Sequence, residues 1–584
     1  MNLLFGKVRW NEDTHLEAMQ DNVFNSGFLD LYVERDSVFK HDSRPYFYDD
    51  NTGVLSAVLG YISNIEEIKA RYSLSNETDV EVVERLYALE GIKFVSQLDG
   101  IFLILIFHEA TKRAYILQSR YGYNLPIYYT GNDNEFTFGT SLKQVLKHNT
   151  ATRELNIAAA RDFLHYSSIV HQAAIVPNRA TLVSNISKLV THEYMIIDGM
   201  KGSNKVKSLK FKEKEVAKEL AKDELIATVD NSVRTLFNQL RTDNITSTLT
   251  SGRDSNLILH FLRRLTDNTI KIVTLSGGEG YNEIPATQAI LRNYDNIEHI
   301  TDTLHSGPDK LPDIVWKLEG YTFQEGVFLR YQLSEILSRE NLRFAFLGAC
   351  ADQMLDRKRR SLVLYESWIR KMVTTRVRRT NYIVTPYRFI RNILRTTYLN
   401  VKGSQNHKGP EFPEPELRAT IRPSSSNVLY DIEADYLSKM HGMLLNSFGV
   451  QGIYAYVNKD IVGMSKALGM LNRRKGFFNQ RVQETLAPEI TTNFALKGPT
   501  TSLKDLVPID ENMLTKLLQL ELVNRILSKS QIERIANSPG DYHLLILQLI
   551  YLYLFNQLFI SGEFDSFFDE PHIDKNLGDF FPQA

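Results

Sequence analysis

The chain has 584 residues, of which 43% are apolar and 23% charged, and a formal net charge of −1. These are ordinary values for a globular protein, and the length predicts two to four domains. The near-zero net charge gives no general attraction to nucleic acid or anionic membranes. The single cysteine, Cys350, excludes intramolecular disulfides and cysteine-rich zinc sites. No signal peptide opens the sequence, so a cytoplasmic protein is expected.

Residues 1–205 predict an α+β domain built from packed antiparallel sheets. Short apolar runs between turn signals predict strands, among them Gly53–Gly60 and Gly100–Phe107. Between them, Glu81–Glu90 has the spacing of a helix with one apolar face. Many strands with few helices favour sheets that cover one another.

Strands and helices alternate in the first half of the second domain, residues 206–584. The predicted elements are a helix at Val216–Leu240, a strand at Ile245–Leu249, a helix at Leu257–Leu265, a strand at Ile270–Leu275, a helix at Pro285–Asn293 and a strand at Phe344–Gly348. Such alternation predicts an α/β doubly wound parallel sheet. Ligands of these sheets bind at the carboxyl ends of the strands.

The remainder of the second domain is predicted to be mainly helical. Residues 403–426 are rich in Gly, Pro and Ser and predict a mobile loop. The predicted helices beyond it are Leu429–Ser447, Asp460–Leu471 and Asn512–Leu527. The apolar segment Tyr542–Ile560 is long enough for a membrane span, but polar residues interrupt it and acidic residues follow it. A buried or partner-covered helix is the favoured interpretation, and no span is expected.

The segment Thr250–Asn256 is the strongest candidate for a binding site. A polar loop between a strand and a helix directs backbone N–H groups and a helix N-terminus at an anion. A plain polar turn before a helix explains the same pattern. Asp254 and Asp352 each follow a predicted strand end, and two such carboxylates meeting at one crevice make a credible Mg²⁺ site.

Other candidates have competing explanations. The glycine-rich stretch Ser276–Gly280 lacks the Lys-Ser/Thr of a phosphate loop and favours a flexible turn. Cys350 has no evident histidine partner and favours a structural role. The basic segment Arg357–Lys408 is explained either by a solvated helix face or by a surface for an anionic substrate or partner. It contains no recognisable nucleic-acid motif, so no nucleic-acid partner is expected. Lys497 alone predicts only an exposed lysine.

Together these segments resemble the asparagine-synthetase-like superfamily over nearly the whole length. The N-terminal domain is similar to its Ntn-hydrolase-like glutamine amidotransferase domain in the order and spacing of five segments: Asp79–Val83, Gln97–Phe102, Arg120–Gly122, Pro126–Tyr129 and Phe136–Ser141. The family's glutaminase uses a cysteine at position 2, where this sequence has Asn2. An amide cannot replace a thiolate nucleophile, so this domain is expected not to hydrolyse glutamine.

The second domain resembles the synthetase, or ATP-pyrophosphatase, domain of that superfamily. The family signature Ser-Gly-Gly-x-Asp-Ser appears as Thr250–Ser255, with Ser251 in place of the first glycine, and Gly-x-Gly-Ala-Asp-Glu appears as Gly348–Gln353, with Cys350 in place of the second glycine. The resemblance implies that ATP is bound through Leu249, Ser251, Gly252, Asp254, Ser255, Leu275, Leu347 and Gly348, with the three leucines and Gly348 lining the adenosine. It further implies Mg²⁺ binding by Asp254 and Asp352 and a catalytic role for Lys497.

The resemblance implies an AMP-forming synthetase that makes an amide from a substrate carboxylate. Members without the cysteine use amines already present on the substrate, and this chain is closest in kind to the lasso-peptide macrolactam synthetases. That predicts a precursor peptide as substrate and a leader-peptide protease as a possible partner. Two alternatives stay open: amidation of a small molecule or sugar acid by ammonia or another amine, and a non-catalytic scaffold relative.

Overall fold

The computed structural model describes residues 2–351, 428–491 and 509–581, except for short gaps. The gaps lie at 11–13, 37, 42–43, 76, 149–151, 168–173, 177, 192, 210–215, 243, 278–281, 306, 325, 475–476, 510 and 564. The predicted mobile loop at 403–426 and the basic segment Arg357–Lys408 both fall outside the described residues.

The N-terminal part is strand-rich, as predicted. Its strands are β1 Leu3–Arg9, β2 Thr14–Gln20, β3 Val23–Gly27, β4 Leu29–Glu34, β5 Tyr46–Asp49, β6 Val54–Ile62, β7 Gly100–His108, β8 Arg113–Gln118, β9 Tyr128–Gly131, β10 Glu135–Gly139, β11 Ala174–Ile175, β12 Ser187–Lys188, β13 Glu193–Asp198 and β14 Ser203–Ser208. Its helices are α1 Ile65–Tyr72, α2 Asp79–Glu90, α3 Leu142–Lys147 and α4 Ile157–Ser167.

Two antiparallel sheets form this part. One has the order β12-β9-β10-β1-β4-β3-β2 and the other β14-β13-β8-β7-β6-β5. Alternate residues of β6 and β7, such as Leu55 and Leu105, join the core shared with the first sheet. The intervening residues, such as Val58 and Ile104, pack in a second core with α1 and α2. Because both faces are covered, β6 and β7 are mostly apolar and are buried almost throughout, and the predicted packed-sheet α+β fold is confirmed.

The second part contains the predicted parallel sheet and a helical remainder. Its strands are β15 Ile245–Thr248, β16 Ile270–Ser276, β17 Ile297–Thr303, β18 Thr322–Phe323, β19 Phe344–Phe346 and β20 Gln451–Ile453. Its helices are α5 Lys218–Gln239, α6 Arg253–Leu265, α7 Ile284–Leu291, α8 Leu311–Leu318, α9 Val327–Arg339, α10 Val428–Ser447, α11 Lys459–Arg474, α12 Phe477–Thr485, α13 Pro488–Thr491, α14 Glu511–Gln519, α15 Glu521–Ile526, α16 Lys529–Asn537 and α17 His543–Phe555.

The parallel sheet has the strand order β17-β16-β15-β19-β20, and every pairing in it is parallel. The chain moves outward from β15 in one direction through β16 and β17. It then returns to the other side of β15 with β19 and β20. The order therefore reverses between β15 and β19, which is where the loops at the carboxyl ends diverge and leave a crevice.

Two predicted element boundaries are wrong for identifiable reasons. Helix α6 begins at Arg253, four residues before the predicted Leu257, because its first turn is polar and carries no apolar periodicity. The predicted helix Asn512–Leu527 is broken at Leu520, whose backbone is extended. The break allows both Leu517 and Val523 to be buried, whereas six residues along one continuous helix would turn them to different faces.

The apolar segment near the C-terminus is a core helix. Within the described chain, Pro539–Ile560 is the one helical stretch long and apolar enough to cross a membrane, and 83% of its most apolar window is buried inside the protein. All residues of α17 are buried. Tyr551 stacks on Phe163 of α4, with ring centroids 5.7 Å apart, and Trp316 of α8 contacts Phe559 just beyond the helix. The favoured interpretation of a buried helix agrees with this packing.

Candidate functional site

The loop Thr250–Gly252 leaves the carboxyl end of β15, at the crevice where the strand order reverses. The preceding residue, Leu249, continues the sheet: its N–H donates to the Val273 carbonyl at 3.0 Å, and its carbonyl accepts from the Thr274 hydroxyl at 3.1 Å. The loop therefore starts from a fixed strand end rather than from a flexible connection. This is the position at which open parallel sheets bind ligands.

Helix α6 begins directly after the loop, with Gly252 in extended conformation as its N-cap. Asp254 is the second residue of α6, so the Asp254 carboxylate lies at the helix N-terminus. The sequence pattern had placed it in the preceding loop. Asn256 holds the turn closed, since its side-chain amide donates to the Thr250 carbonyl at 3.0 Å and to the Gly252 carbonyl at 2.6 Å. The positive end of the helix dipole therefore faces the crevice.

Gly348 brings the second predicted motif against the first. It follows β19, and a Cβ at this position would lie 2.9 Å from the Ser255 nitrogen and 3.1 Å from the Ser255 Cα. Only glycine lets the two backbones approach so closely. Leu347 extends β19 by donating its N–H to the Ile453 carbonyl at 3.0 Å. The structure therefore brings the loop and the Gly348 segment together, although a hundred residues separate them in the sequence.

The three leucines predicted to line adenosine follow or end neighbouring strands. Leu249 follows β15, Leu275 is the second-to-last residue of β16, and Leu347 follows β19 by one residue. All three side chains are buried, with exposed fractions of 2%, 6% and 2%. They share the same edge of the sheet as the loop, and their role towards a base stays a prediction.

Cys350 occupies the position of the second family glycine and adopts a glycine-like backbone. Its φ is +71°, in the left-handed region that a side chain disfavours. The cysteine is buried and forms no disulfide. The chain thus keeps the turn that the glycine would make, at the expense of local backbone strain.

Other predicted site residues cannot be placed. Asp352 and Lys497 lie outside the described residues, as do residues 278–280 of the glycine-rich stretch. In the part of the chain that is described, no group of three or more His, Cys, Asp or Glu side chains could hold a metal ion. The Mg²⁺ assignment to Asp254 and Asp352 therefore stays a prediction.

Two residues that contact the loop or the first turn of α6 were missed by sequence reasoning. The Tyr456 hydroxyl, from the segment after β20, donates to the Asp254 carbonyl at 2.8 Å. Burial, with the Asp254 charge adding to it, raises the pKa of Tyr456 well above its ordinary value, so the hydroxyl remains a donor. Glu283, just before α7, accepts hydrogen bonds from Ser251. Their only sequence signal is a position after a strand end, which many residues share.

Asn2, at the position of the family's nucleophile, is buried and bonded to the second part of the chain. Its backbone N–H donates to the Asn446 side-chain oxygen at 2.7 Å, and the Asn446 amide returns a bond to the Asn2 carbonyl at 3.1 Å. Its side-chain amide donates to Gln451 at 3.1 Å, and its side-chain oxygen accepts from the Asp36 N–H at 3.3 Å. Asn2 therefore acts here as a contact between the two parts.

Further contacts join the N-terminal part to the strand ends of the parallel sheet. The Tyr61 hydroxyl accepts from the Tyr454 N–H at 3.1 Å. The Asp99 carboxylate accepts from the Lys459 N–H at 3.1 and 3.3 Å, at the start of α11. Burial raises the pKa of Asp99 to about 6. The N-terminal part thus supports the segment that carries Tyr456, and through it the loop.

Two family models match the chain. Residues 31–207 match the glutamine amidotransferase domain, and residues 225–443 match asparagine synthase. The first range includes the antiparallel strands from β5 to β13 but not β1 to β3, and the second includes β15 to β19 but not β20. They confirm the superfamily resemblance seen in the sequence, but they do not bear on the lasso-peptide group.

Three curated relatives have similar sequences. The "Putative asparagine synthetase [glutamine-hydrolyzing] 2" of Methanocaldococcus jannaschii is 24% identical over 276 residues, covering 46% of this chain and 51% of that protein. "Asparagine synthetase [glutamine-hydrolyzing] 2" of Bacillus subtilis is 28% identical over 19% of this chain and 15% of that protein. "Amidase chry2" of Gibberella zeae is 29% identical over 17% of this chain and 15% of that protein. The chain spans about half the length of the first relative and far less of the other two.

A solved structure titled as the allosteric regulatory enzyme of purine biosynthesis matches 52% of this chain and 81% of its own, at 10% identity and a TM-score of 0.23. A likeness of that size carries no conclusion. The two family matches carry more: the chain has a part similar to the glutamine amidotransferase domain, followed by a part similar to asparagine synthase.

Proposed function

We propose that the protein is an ATP-dependent synthetase that forms an amide bond and releases AMP and pyrophosphate. The observation that carries the proposal is the meeting of the Thr250–Asn256 segment with Gly348 at the reversal of strand order. A helix N-terminus, a turn anchored by the buried Ser251 and a close glycine contact at this edge suit a bound triphosphate.

The proposed reaction has two steps. A substrate carboxylate oxygen attacks the α-phosphorus of ATP, forming an acyl-adenylate while pyrophosphate leaves. An amine then attacks the acyl carbon, forming the amide, and AMP and a proton leave. The N-terminus of α6 would hold the pyrophosphate and stabilise the charge that develops on it. Lys497, by resemblance, would stabilise the oxyanion of the second step.

Mg²⁺ would supply charge neutralisation on the phosphate oxygens. Asp254 suits this role, because Mg²⁺ prefers carboxylate oxygens and Asp254 is the second residue of the helix that starts at the proposed phosphate position. Asp352 would be the second ligand; it directly follows Ala351, the last described residue of the segment that contacts α6. Each would bind through a side-chain oxygen.

The amine, we propose, comes from the substrate itself. Asn2 offers no thiolate, and all of its polar groups take part in hydrogen bonds with Asn446, Gln451 and Asp36. This supports a synthetase that receives no ammonia from its own N-terminal part. The finer proposal is a lasso-type cyclase joining the N-terminus of a precursor peptide to an Asp or Glu side chain, with rate gained by proximity. A leader-peptide protease would then prepare the substrate.

Two alternatives remain as outcomes of the test. Ammonia or a small amine from solution would amidate a small molecule or sugar acid. A non-catalytic scaffold is favoured by Cys350, which holds a strained left-handed backbone where the family has glycine.

The experiment measures pyrophosphate release by the full chain with ATP, Mg²⁺ and candidate precursor peptides. Wild-type protein should release pyrophosphate, and Asp254→Ala should reduce release on the order of a hundred-fold or more. Asp267→Ala is the matched control, since this fully exposed carboxylate lies two residues beyond the end of the same helix.

The product distinguishes the alternatives. A peptide lighter by one water and free of added label, in the presence of ¹⁵N-ammonium, supports the substrate's own amine. Incorporated ¹⁵N supports external ammonia. No ATP binding by calorimetry supports the scaffold. Turnover unaffected by Asp254→Ala contradicts the site itself.

A further inference from the structure

Glu283 makes a two-point contact with the loop at Ser251. The Ser251 N–H donates to one carboxylate oxygen at 3.3 Å, and the Ser251 hydroxyl donates to the other at 3.1 Å. Both side chains are buried, with 6% of Glu283 and 1% of Ser251 exposed. A glycine at position 251, as the family signature has, would keep the first bond and lose the second. The serine therefore turns a single hydrogen bond into a clamp.

Glu283 is itself held in place. It is the N-cap residue of α7, and its carbonyl accepts from the Thr287 N–H at 2.9 Å and from the Thr287 hydroxyl at 3.1 Å. The following residue, Ile284, donates its N–H to the Asn282 side chain at 3.1 Å. The start of α7 thus fixes the Glu283 backbone, which holds the carboxylate on the β16 side of the crevice.

Glu283 accepts from Ser251 but lies outside the segment Thr250–Asn256, unlike the acceptors of the neighbouring N–H groups. The Thr250 N–H donates to the Ser255 hydroxyl and the Gly252 N–H to the Thr250 hydroxyl, both at 3.1 Å. Those bonds shape the loop internally but do not locate it relative to β16. The bonds from Ser251 to Glu283 locate the loop relative to β16, because Glu283 caps α7, the helix that follows this strand. The direction of the N-terminus of α6 depends on that junction together with the Tyr456 hydrogen bond and the Gly348 contact.

We propose that Glu283 is a positioning residue for nucleotide, which it orients by clamping Ser251. The inference rests on the proposed ATP-binding role of the loop. Glu283 acts through Ser251 and the start of α6 and does not itself contact phosphate. The clamp is geometric: glutamine can reproduce it, since its oxygen accepts from the Ser251 N–H while its amide donates to the Ser251 hydroxyl oxygen.

The test compares Glu283→Ala, Glu283→Gln and Ser251→Gly in the full chain, with two measurements. One is amide hydrogen exchange of the peptide covering residues 250–256 without nucleotide. The other is the Kd for Mg²⁺-ATP by calorimetry. Glu283→Ala should speed exchange and weaken ATP binding by about ten-fold or more, Glu283→Gln should stay within about three-fold of wild type in both, and Ser251→Gly should fall between.

Each outcome decides something. Fast exchange in Glu283→Ala with unchanged ATP affinity overturns the positioning role and leaves the proposed function standing. Wild-type protein that binds no ATP refutes the proposed function and the positioning role with it, while the exchange data still report the clamp. A folded Glu283→Gln variant as impaired as Glu283→Ala overturns the geometric account. If Glu283→Ala does not fold, Glu283→Gln and Ser251→Gly carry the comparison.

Discussion

Replacing Gly348 by alanine should separate the two segments that form the candidate site. The added Cβ would lie 2.9 Å from the Ser255 nitrogen, whereas ordinary contacts begin at 3.4 Å, so the gap must widen by 3.4 − 2.9 = 0.5 Å. The neighbouring atoms include the Ser255 Cα at 3.1 Å, and backbone at a helix start cannot move aside as a side chain would. Overpacking of this kind costs about 1–3 kcal/mol.

The assay is denaturant unfolding of Gly348→Ala beside a Mg²⁺-ATP titration. The unfolding free energy should fall by about 1–3 kcal/mol, and ATP should bind about ten-fold more weakly because the N-terminus of α6 is displaced. Gly578→Ala is the control, since a Cβ there meets no atom within 4 Å. If Gly348→Ala matches wild type in both measurements, the close contact between the motifs is refuted.

Three further predictions concern the contacts around the site. Asn2→Ala removes two side-chain hydrogen bonds and leaves the buried Gln451 side-chain oxygen without its Asn2 donor. The unfolding free energy should therefore fall by about 1–3 kcal/mol, and an unchanged denaturation midpoint would contradict this contact. At the left-handed position 350, Cys350→Gly should be about 1 kcal/mol more stable than Cys350→Ala, the reverse of the order expected in a helix, and a more stable alanine variant would exclude backbone strain. Burial raises the pKa of Asp99 from 3.8 to about 6, so the folded protein binds this proton more tightly than the unfolded chain does. The resulting stabilisation is fully present below about pH 4 and is lost as the pH rises through 6. Relative to Asp99→Asn, wild type should lose roughly 3 kcal/mol over that window, and parallel pH profiles would refute the shift.

The fold was largely predictable because periodicity reports burial. Strands such as Gly100–His108 and Ile270–Ser276 are apolar runs bounded by turn signals, and they lie within one residue of the predicted limits. The start of α6 was not predictable in this way. Its first turn, Arg253–Asn256, is polar because Asn256 and Ser255 bond back to the loop, and a polar turn has the same composition whether it is loop or helix.

The site was predictable where sequence motifs exist and not where contacts are long-range. The segment Thr250–Asn256 and Gly348 stood out through the family signatures, and the structure brings them together. Glu283 contacts the loop from 32 residues away in sequence, and Tyr456 contacts the first turn of α6 from 202 residues away. A lone Glu or Tyr carries no sign of such a partner. Only the order of strands in the sheet determines which strand ends become neighbours.

Helix α17 has a consequence for how the polypeptide reaches its native state. It packs against α4 of the first part, where Phe163 stacks on Tyr551, and near α8 of the second part, where Trp316 contacts Phe559 just beyond the helix. The core that α4 and α8 share with α17 is incomplete before residues 543–560 have been synthesised. A ribosome-bound chain should therefore stay protease-sensitive in both parts until residues 543–560 have emerged, and chaperone demand should be high. For the same reason, cutting the molecule at the sequence boundary between its two parts should yield aggregation rather than two working modules.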